Sequence, residues 1–271
     1  MEKYAVMGNP INHSKSPMIH GLFAQQTGQD IKYDAILAPV DGFVAAVRSF
    51  KKQDGRGLNI TVPFKQEAWQ LVDKRSAHAQ RAGAVNTISF AKDGVLIGDN
   101  TDGVGIVRDI TQNKNTALEG KRILILGAGG AVRGIIEPIL EQKPQHILIA
   151  NRTVSKAQEL VELFSTNGNI AACGFDQIPE ESFDIIINGT SASLHGELPP
   201  LPPQIAKQAF CYDMMYGKVE TIFMKWAQEN GASMVSDGLG MLVEQAAESF
   251  FIWRGLRANT RPVIEAVRRS L

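Results

Sequence analysis

Apolar and polar positions along this chain follow two rhythms: short apolar runs ended by Gly, Asn or Pro, and longer stretches with apolar residues three and four apart. Tyr4 to Met7 stops at Gly8-Asn9-Pro10, which predicts a strand and then a loop. Ser16-Pro17 predicts a helix start, with Ser16 as N-cap and Pro17 at the first helical position; Ile19, Leu22 and Phe23 follow at helical spacing. Tyr33 to Pro39 reads as a second strand, and Val40 to Lys52 as a helix with Phe43, Val47 and Phe50 on one face. Gly57 to Val62 is a third strand, ended by Pro63, with a helix from Lys65 to Val72 after it. The first hundred residues are therefore expected to alternate β and α.

The second half repeats the alternation more strongly. Lys121 to Leu126 is an apolar strand running into Gly127-Ala128-Gly129-Gly130. Val132 to Gln142 reads as a helix that Pro138 should kink or stop early. Strands at Gln145–Ala150, Phe183–Asn188 and Ala209–Asp213 flank a helix at Ser155–Thr166, and Leu239 to Gly255 forms a long amphipathic helix. The Pro-rich run at 198–203 is a loop within this half, not a linker. This βαβαβ order is the signature of a doubly wound nucleotide-binding domain, so an α/β protein with two domains is expected.

Composition narrows the class. The chain has 271 residues, 44% hydrophobic and 21% charged, enough for packed cores. Lys plus Arg, 28, balance Asp plus Glu, 28, which argues against a nucleic-acid or anionic-membrane partner. Two cysteines, Cys173 and Cys211, have no metal-ligand spacing and suit a reducing compartment as buried hydrophobes. The N-terminus lacks the pattern of a signal peptide, and no apolar stretch reaches a membrane span. A cytoplasmic protein without a metal is expected.

Two polar features carry chemistry. Gly127-Ala128-Gly129-Gly130-Ala131 follows a strand and opens a helix, so its backbone can approach a pyrophosphate at the helix N-terminus. The third fingerprint position is Val132, where the usual form has Gly or Ala. After the next strand come Asn151-Arg152-Thr153 and then Lys156, with no Asp or Glu to hold a ribose 2′-hydroxyl. Cations at a helix N-terminus are mildly unfavourable, so Arg152 and Lys156 make better sense facing a 2′-phosphate, and NADP is expected over NAD.

The second feature is four polar clusters in the first domain, around Ser14 and Ser16, around Asn59, Thr61 and Lys65, at Asn86, and at Asp102. Each has a bland reading alone: a helix cap, a turn residue, a solvated lysine. Beside a nucleotide domain their hydroxyls, amides, amine and carboxylate suit a polyhydroxylated acid.

GNPINHSKSP, NITVPFK, AGAVNT, GDNTDG, GAGGAVR, NRT, YDMMY and DGLGMLVEQA occur here in the order seen in shikimate dehydrogenases, over nearly the whole chain, and the chain resembles that family. The resemblance implies an α/β substrate-binding domain, residues 1–101 completed by 238–271, a Rossmann-type doubly wound NADP-binding domain, residues 102–237, and reversible NADPH-dependent reduction of 3-dehydroshikimate to shikimate, toward chorismate and the aromatic amino acids. It implies that Ser14 and Ser16 hold the substrate carboxylate and that Asn59, Thr61, Asn86, Tyr216 and Gln245 contact the substrate. Lys65 is implied to be catalytic and paired with Asp102, as proton donor or as electrostatic stabiliser. The backbone at Met214 and Gly238 is implied to lie near the nicotinamide. Two departures stand out. Thr221-Ile222-Phe223 replaces the family's frequent Thr-Pro-Phe, which predicts a less rigid loop, and Asn188-Gly189-Thr190-Ser191 has Gly where the family often has Ala.

Three rival readings are a quinate/shikimate dehydrogenase with relaxed substrate and cofactor choice, a methylenetetrahydrofolate dehydrogenase, and a non-catalytic ligand sensor. The Asn-Arg-Thr run argues against the first, the SKS and NTDG contexts against the second, and the presence of both Lys65 and Asp102 against the third. A monomer is expected, because one chain can complete a two-domain cleft, with a homodimer the alternative.

Overall fold

The computed structural model describes residues 1–190, 192 and 196–271. The chain divides into two compact units, residues 1–105 with 242–270, and residues 106–241 with Leu271. The expected boundaries, after residues 101 and 237, each fall four residues short of this division. The physical reason is that both crossings lie inside continuous helices, α5 (Asp102–Arg108) and α9 (Leu239–Arg254), so no linker marks them in the composition.

The first unit holds β1 (Glu2–Gly8), α1 (Ser16–Thr27), β2 (Ile31–Leu37), α2 (Phe43–Lys52), β3 (Gly55–Ile60), α3 (Lys65–Leu71), β4 (Lys74–Arg75), α4 (Ala77–Ala82), β5 (Thr87–Phe90) and β6 (Leu96–Asp99), with α10 (Arg261–Arg269) near the chain end. Its sheet has the order β2-β1-β3-β5-β6-β4. β1 pairs parallel with β2 and β3, but β5 is antiparallel to both β3 and β6. The expected β/α alternation thus holds as far as β5, through the short β4 and α4, and breaks where β6 follows β5 directly. Thr87–Phe90 lacks the long apolar run that would have announced it. Alternation in β3 separates its faces: Leu58 and Ile60 join the core under α2 with Phe43, Val47 and Phe64, whereas Asn59 turns to the opposite face.

The second unit holds β7 (Arg122–Leu126), α6 (Gly130–Leu140), β8 (His146–Ala150), α7 (Val154–Phe164), β9 (Ile170–Cys173), β10 (Ile185–Asn188), β11 (Phe210–Asp213), α8 (Ile222–Glu229) and β12 (Met234–Ser236). All pairings are parallel, in the order β12-β11-β10-β7-β8-β9. Renumbered within the unit this is the doubly wound 3-2-1-4-5-6 order, read from the opposite edge. β7 explains why: Ile123 and Ile125 pack with Val132, Ile135, Leu160 and Phe164 on one face, and Leu124 and Leu126 with Phe223 and Trp226 on the other. A strand buried on both faces must be apolar throughout. α6 carries Pro138 and ends two residues later, the early stop its sequence predicts. Among the described residues no helix is long and apolar enough to cross a membrane, and no group of His, Cys, Asp or Glu could hold a metal ion.

Candidate active site

Lys65 is the first residue of α3, and Asp102 the first of α5. A carboxylate at a helix N-terminus is favoured by the helix dipole, whereas an ammonium there is opposed by roughly 0.3–1 kcal/mol. Lys65 is therefore placed against its local preference, and Asp102 compensates. Lys65 Nζ lies 2.6 Å from Asp102 Oδ2, with side-chain exposures of 30% and 11%. The amine thus keeps one open side toward solvent while its charge is held by a mostly buried partner.

Asn86 sits between this pair and α9. Its Nδ2 donates to Asp102 Oδ1 at 2.8 Å and to Thr101 Oγ1 at 2.9 Å, and reaches Gln245 Oε1 at 3.3 Å. Its Oδ1 accepts from the Thr101 amide at 3.0 Å and from Thr87 Oγ1 at 2.9 Å. Asn86, Thr87 and Thr101 are buried, so these bonds form away from bulk water, where an unpaired polar group would be costly. Lys65, Asn86, Asp102 and Gln245 are thus brought into one cluster.

The other expected substrate residues fare differently. Ser16 is buried and Ser14 half-buried, and Ser14 Oγ accepts from the Ser16 amide at 3.3 Å. Ser16 is not the N-cap of α1. Lys15 occupies that position in a helical conformation (φ −85°, ψ −6°) and makes no side-chain cap, so Ser16 is already helical. Lys15 Nζ instead reaches the Ser270 carbonyl at 3.0 Å. Thr61 lies just past β3, not within it as expected, its amide donating to the Met7 carbonyl. Asn59 is turned inward: Nδ2 donates to Ser249 Oγ at 2.9 Å and faces Thr87 Oγ1 at 3.2 Å, while Oδ1 accepts from Tyr33 at 2.7 Å.

Thr87, Thr101, Ser249 and Tyr33 were not singled out from the sequence. Thr87 and Thr101 stand inside the AGAVNT and GDNTDG segments, and Ser249 lies one helical turn beyond Gln245, so helix spacing could have found it. No sequence signal marks Tyr33.

In the second unit, Gly127 has a φ of +103°, a region that favours glycine. Gly129 caps α6 with extended backbone and no side-chain cap, and a methyl built at Gly129 or Gly130 meets no atom within 4 Å. Space and open peptide N–H groups are thus left over the first turn of α6, flanked by Ala128 and the exposed Ala131, which fits a pyrophosphate. Arg152, Thr153 and Lys156 are exposed, and Asn151 Nδ2 closes the turn on the Thr153 carbonyl at 2.8 Å. The absence of any carboxylate from 151 to 156 and the two cations fit a 2′-phosphate.

The two sequence departures have physical explanations. A methyl on Gly189 would come 2.3 Å from Val132 Cγ2, so the valine at the third fingerprint position occupies the space that an alanine at 189 would need. Ser191 lies outside the described residues. Thr221 is not loose: its hydroxyl caps α8 by accepting from the Met224 amide at 3.2 Å and donates to Asp213 Oδ2 at 2.6 Å. Asp213 in turn accepts from the Met215 amide at 3.0 Å, which shapes the segment leading to Tyr216. Burial, reinforced by Asp237, raises the Tyr216 phenol above its ordinary pKa. Gly238 packs on the Met214 backbone so closely that a methyl there would lie 2.2 Å from the Met214 carbonyl oxygen.

Family models for the shikimate dehydrogenase substrate binding domain, shikimate/quinate 5-dehydrogenase and the shikimate 5′-dehydrogenase C-terminal domain match residues 6–88, 109–195 and 238–268. Shikimate dehydrogenase (NADP(+)) of Alkalilimnicola ehrlichii is 58% identical over 268 residues, 98% of each chain. Among solved structures, an Ael1 enzyme from Pseudomonas putida superposes with a TM-score of 0.95 at 46% identity, over 98% of both chains. Shikimate 5-dehydrogenase from Thermus thermophilus, in complex with NADP(H) and shikimate, superposes at 0.88 with 31% identity over 100% of both.

Proposed function

The chain belongs to the shikimate dehydrogenase family, and from that premise we propose that it catalyses the reversible NADPH-dependent reduction of 3-dehydroshikimate to shikimate. The observation that carries this reading is the 2.6 Å Lys65–Asp102 pair, backed by the buried Asn86. NADPH, when bound, supplies the hydride.

The residues of the chain handle everything else. Reduction of the ring ketone builds negative charge on its oxygen, and the Lys65 ammonium meets that charge, as proton donor or electrostatic stabiliser. Asp102 holds the ammonium in place through the 2.6 Å ion pair. In the reverse direction Lys65, once neutral, accepts the hydroxyl proton. Ser14 and Ser16 supply hydroxyls for the substrate carboxylate, and Asn86, Thr61, Tyr216 and Gln245 supply polar groups for the remaining ring substituents. Asn59, saturated from within, acts chiefly by holding Thr87 and Ser249. The Gly127–Ala131 turn and the first turn of α6 hold the pyrophosphate, Asn151, Arg152, Thr153 and Lys156 the 2′-phosphate, and the Met214 and Gly238 backbone borders the nicotinamide. The chain works as a cytoplasmic monomer in this reading, since one chain carries every group named.

The test is loss of NADPH absorbance on addition of 3-dehydroshikimate to the purified protein. No turnover would sink the proposal, and equal rates with quinate and NAD would favour a relaxed quinate/shikimate dehydrogenase.

A further inference from the structure

A chain of hydrogen bonds inside the first unit leads from β2 to the Lys65–Asp102 pair, and its direction can be assigned by elimination. Tyr33 Oη donates to Asn59 Oδ1 at 2.7 Å, because that oxygen has no proton to give. This fixes the Asn59 amide with Nδ2 toward Ser249 Oγ at 2.9 Å and Thr87 Oγ1 at 3.2 Å. Thr87 has one hydroxyl proton, and Asn86 Oδ1 at 2.9 Å takes it. The 2.7 Å contact between Thr87 and Ser249 has no fixed donor, because the one Ser249 proton also faces the Gln245 carbonyl at 3.1 Å; the directed path therefore runs from Asn59 Nδ2 straight to Thr87. Asn86 Oδ1 also accepts from the Thr101 amide, so its Nδ2 is the end that meets Asp102 Oδ1. Asp102 Oδ2 is left for Lys65. Along Tyr33, Asn59, Thr87 and Asn86 each donor points toward the Asp102 carboxylate, the arrangement in which successive bonds polarise and strengthen one another.

The far end of this series is firmly built. The Tyr33 ring stacks face to face on His20, with centroids 4.1 Å apart and planes 6° apart, and His20 is fully buried. Burial, only partly offset by the Asn59 side chain, pushes His20 down to about 3, so a neutral ring covers the phenol. Burial raises the Tyr33 phenol well above its ordinary value, against a smaller opposing effect of Ser16, so its proton stays available to Asn59.

We propose that Tyr33 is a positioning residue for the Lys65–Asp102 pair, acting through Asn59, Thr87 and Asn86. The inference rests on the dehydrogenase reading for its kinetic consequence. Removing the Tyr33 hydroxyl frees the Asn59 amide to rotate. That loosens the donor set on Asp102 and with it the Lys65 ammonium, without touching the cofactor unit.

The experiment compares Tyr33→Phe in the wild-type and Lys65→Ala backgrounds, using NADPH and 3-dehydroshikimate. Tyr33→Phe keeps the ring and its stacking. It is expected to lower kcat about fivefold to tenfold, the scale of one lost hydrogen bond, with the KM for NADPH unchanged. In the Lys65→Ala background the same substitution is expected to change the residual rate less than about twofold, because a residue acting through Lys65 has nothing left to position. Thr87→Val should reproduce the loss and Thr87→Ser restore the rate. A wild-type kcat in both Tyr33→Phe and Thr87→Val, or an undiminished penalty in the Lys65→Ala background, overturns the proposal. The NMR signals of the Asn86 side-chain amide read the same chain of bonds without substrate. They are expected to move in Tyr33→Phe, and unmoved signals overturn the proposal whether or not the wild type turns over 3-dehydroshikimate.

Discussion

Gly189→Ala sets two opposed effects against each other. Gly189 does not have the positive φ that penalises other residues. By backbone entropy alone alanine would then stabilise the fold by about 0.4–1 kcal/mol. The added methyl, however, would lie 2.3 Å from Val132 Cγ2 and 3.1 Å from Met214 Sδ. Ordinary carbon contacts are about 3.5–4.0 Å, so the overlap with Val132 exceeds roughly 1 Å. Val132 is fully buried and β-branched in a helix, with essentially one χ1 rotamer open to it, so it cannot swing aside. Overpacking of this kind costs about 1–3 kcal/mol; at mid-range values this exceeds the entropy gain and leaves a net loss of roughly 1.3 kcal/mol.

Val132→Ala alone removes two buried methyl groups, a loss of about 1.6 kcal/mol before any cavity term. In the double variant the new methyl at 189 fills space vacated by Val132, so the double should be more stable than the sum of the singles by about 1–2 kcal/mol. At roughly 2–4 °C per kcal/mol for a large domain, thermal unfolding monitored by circular dichroism resolves this coupling. Because Gly189 and Thr190 border the Gly127 turn, the KM for NADPH should rise in Gly189→Ala and recover in the double variant. Wild-type stability in Gly189→Ala, or strictly additive effects, would refute the packing account.

Other expectations follow from the same geometry. Lys65→Ala should lower kcat about 10²–10⁴-fold while shikimate affinity, measured by calorimetry, changes far less; turnover at the wild-type rate would remove Lys65 from the chemistry. Arg152→Ala should raise the KM for NADPH about tenfold or more, the scale of one charge-assisted hydrogen bond, and leave the KM for NADH nearly unchanged; equal effects on both cofactors would place Arg152 elsewhere. His20, neutral when folded and lowered from 6.5 to about 3, makes stability depend on pH. Its contribution is complete above pH 6.5 and is lost as pH falls toward 3, because the unfolded chain takes up the proton that the folded one refuses. Urea unfolding of wild type and His20→Phe should therefore diverge below pH 6.5 by about 1.4 kcal/mol per pH unit, and parallel curves would mean that His20 is charged in the fold.

The sequence by itself determined what depends on local spacing. Strands buried on both faces must be apolar along their whole length, so the core strands of the second unit, Ile123–Leu126, Ile147–Ala150 and Ile185–Ile187, were legible at once. The Gly127 turn was legible because only glycine tolerates its backbone. The pairing of Lys65 with Asp102 was legible only through the order of eight motifs, since neither residue carries a local signature. Tertiary structure decided what depends on partners distant in the chain. β5 and β6 are short and half-buried, and their antiparallel return is held by neighbours rather than by propensity. The hydroxyl of Ser16 favours a cap position, yet Lys15 takes it and anchors on Ser270 near the other end of the chain. The direction of the bonds from Tyr33 to Asp102 follows from the count of protons on residues 190 or fewer positions apart, which no local pattern contains. Val132 and Gly189 each departed from the usual form, and only their contact in space shows that the two changes are one.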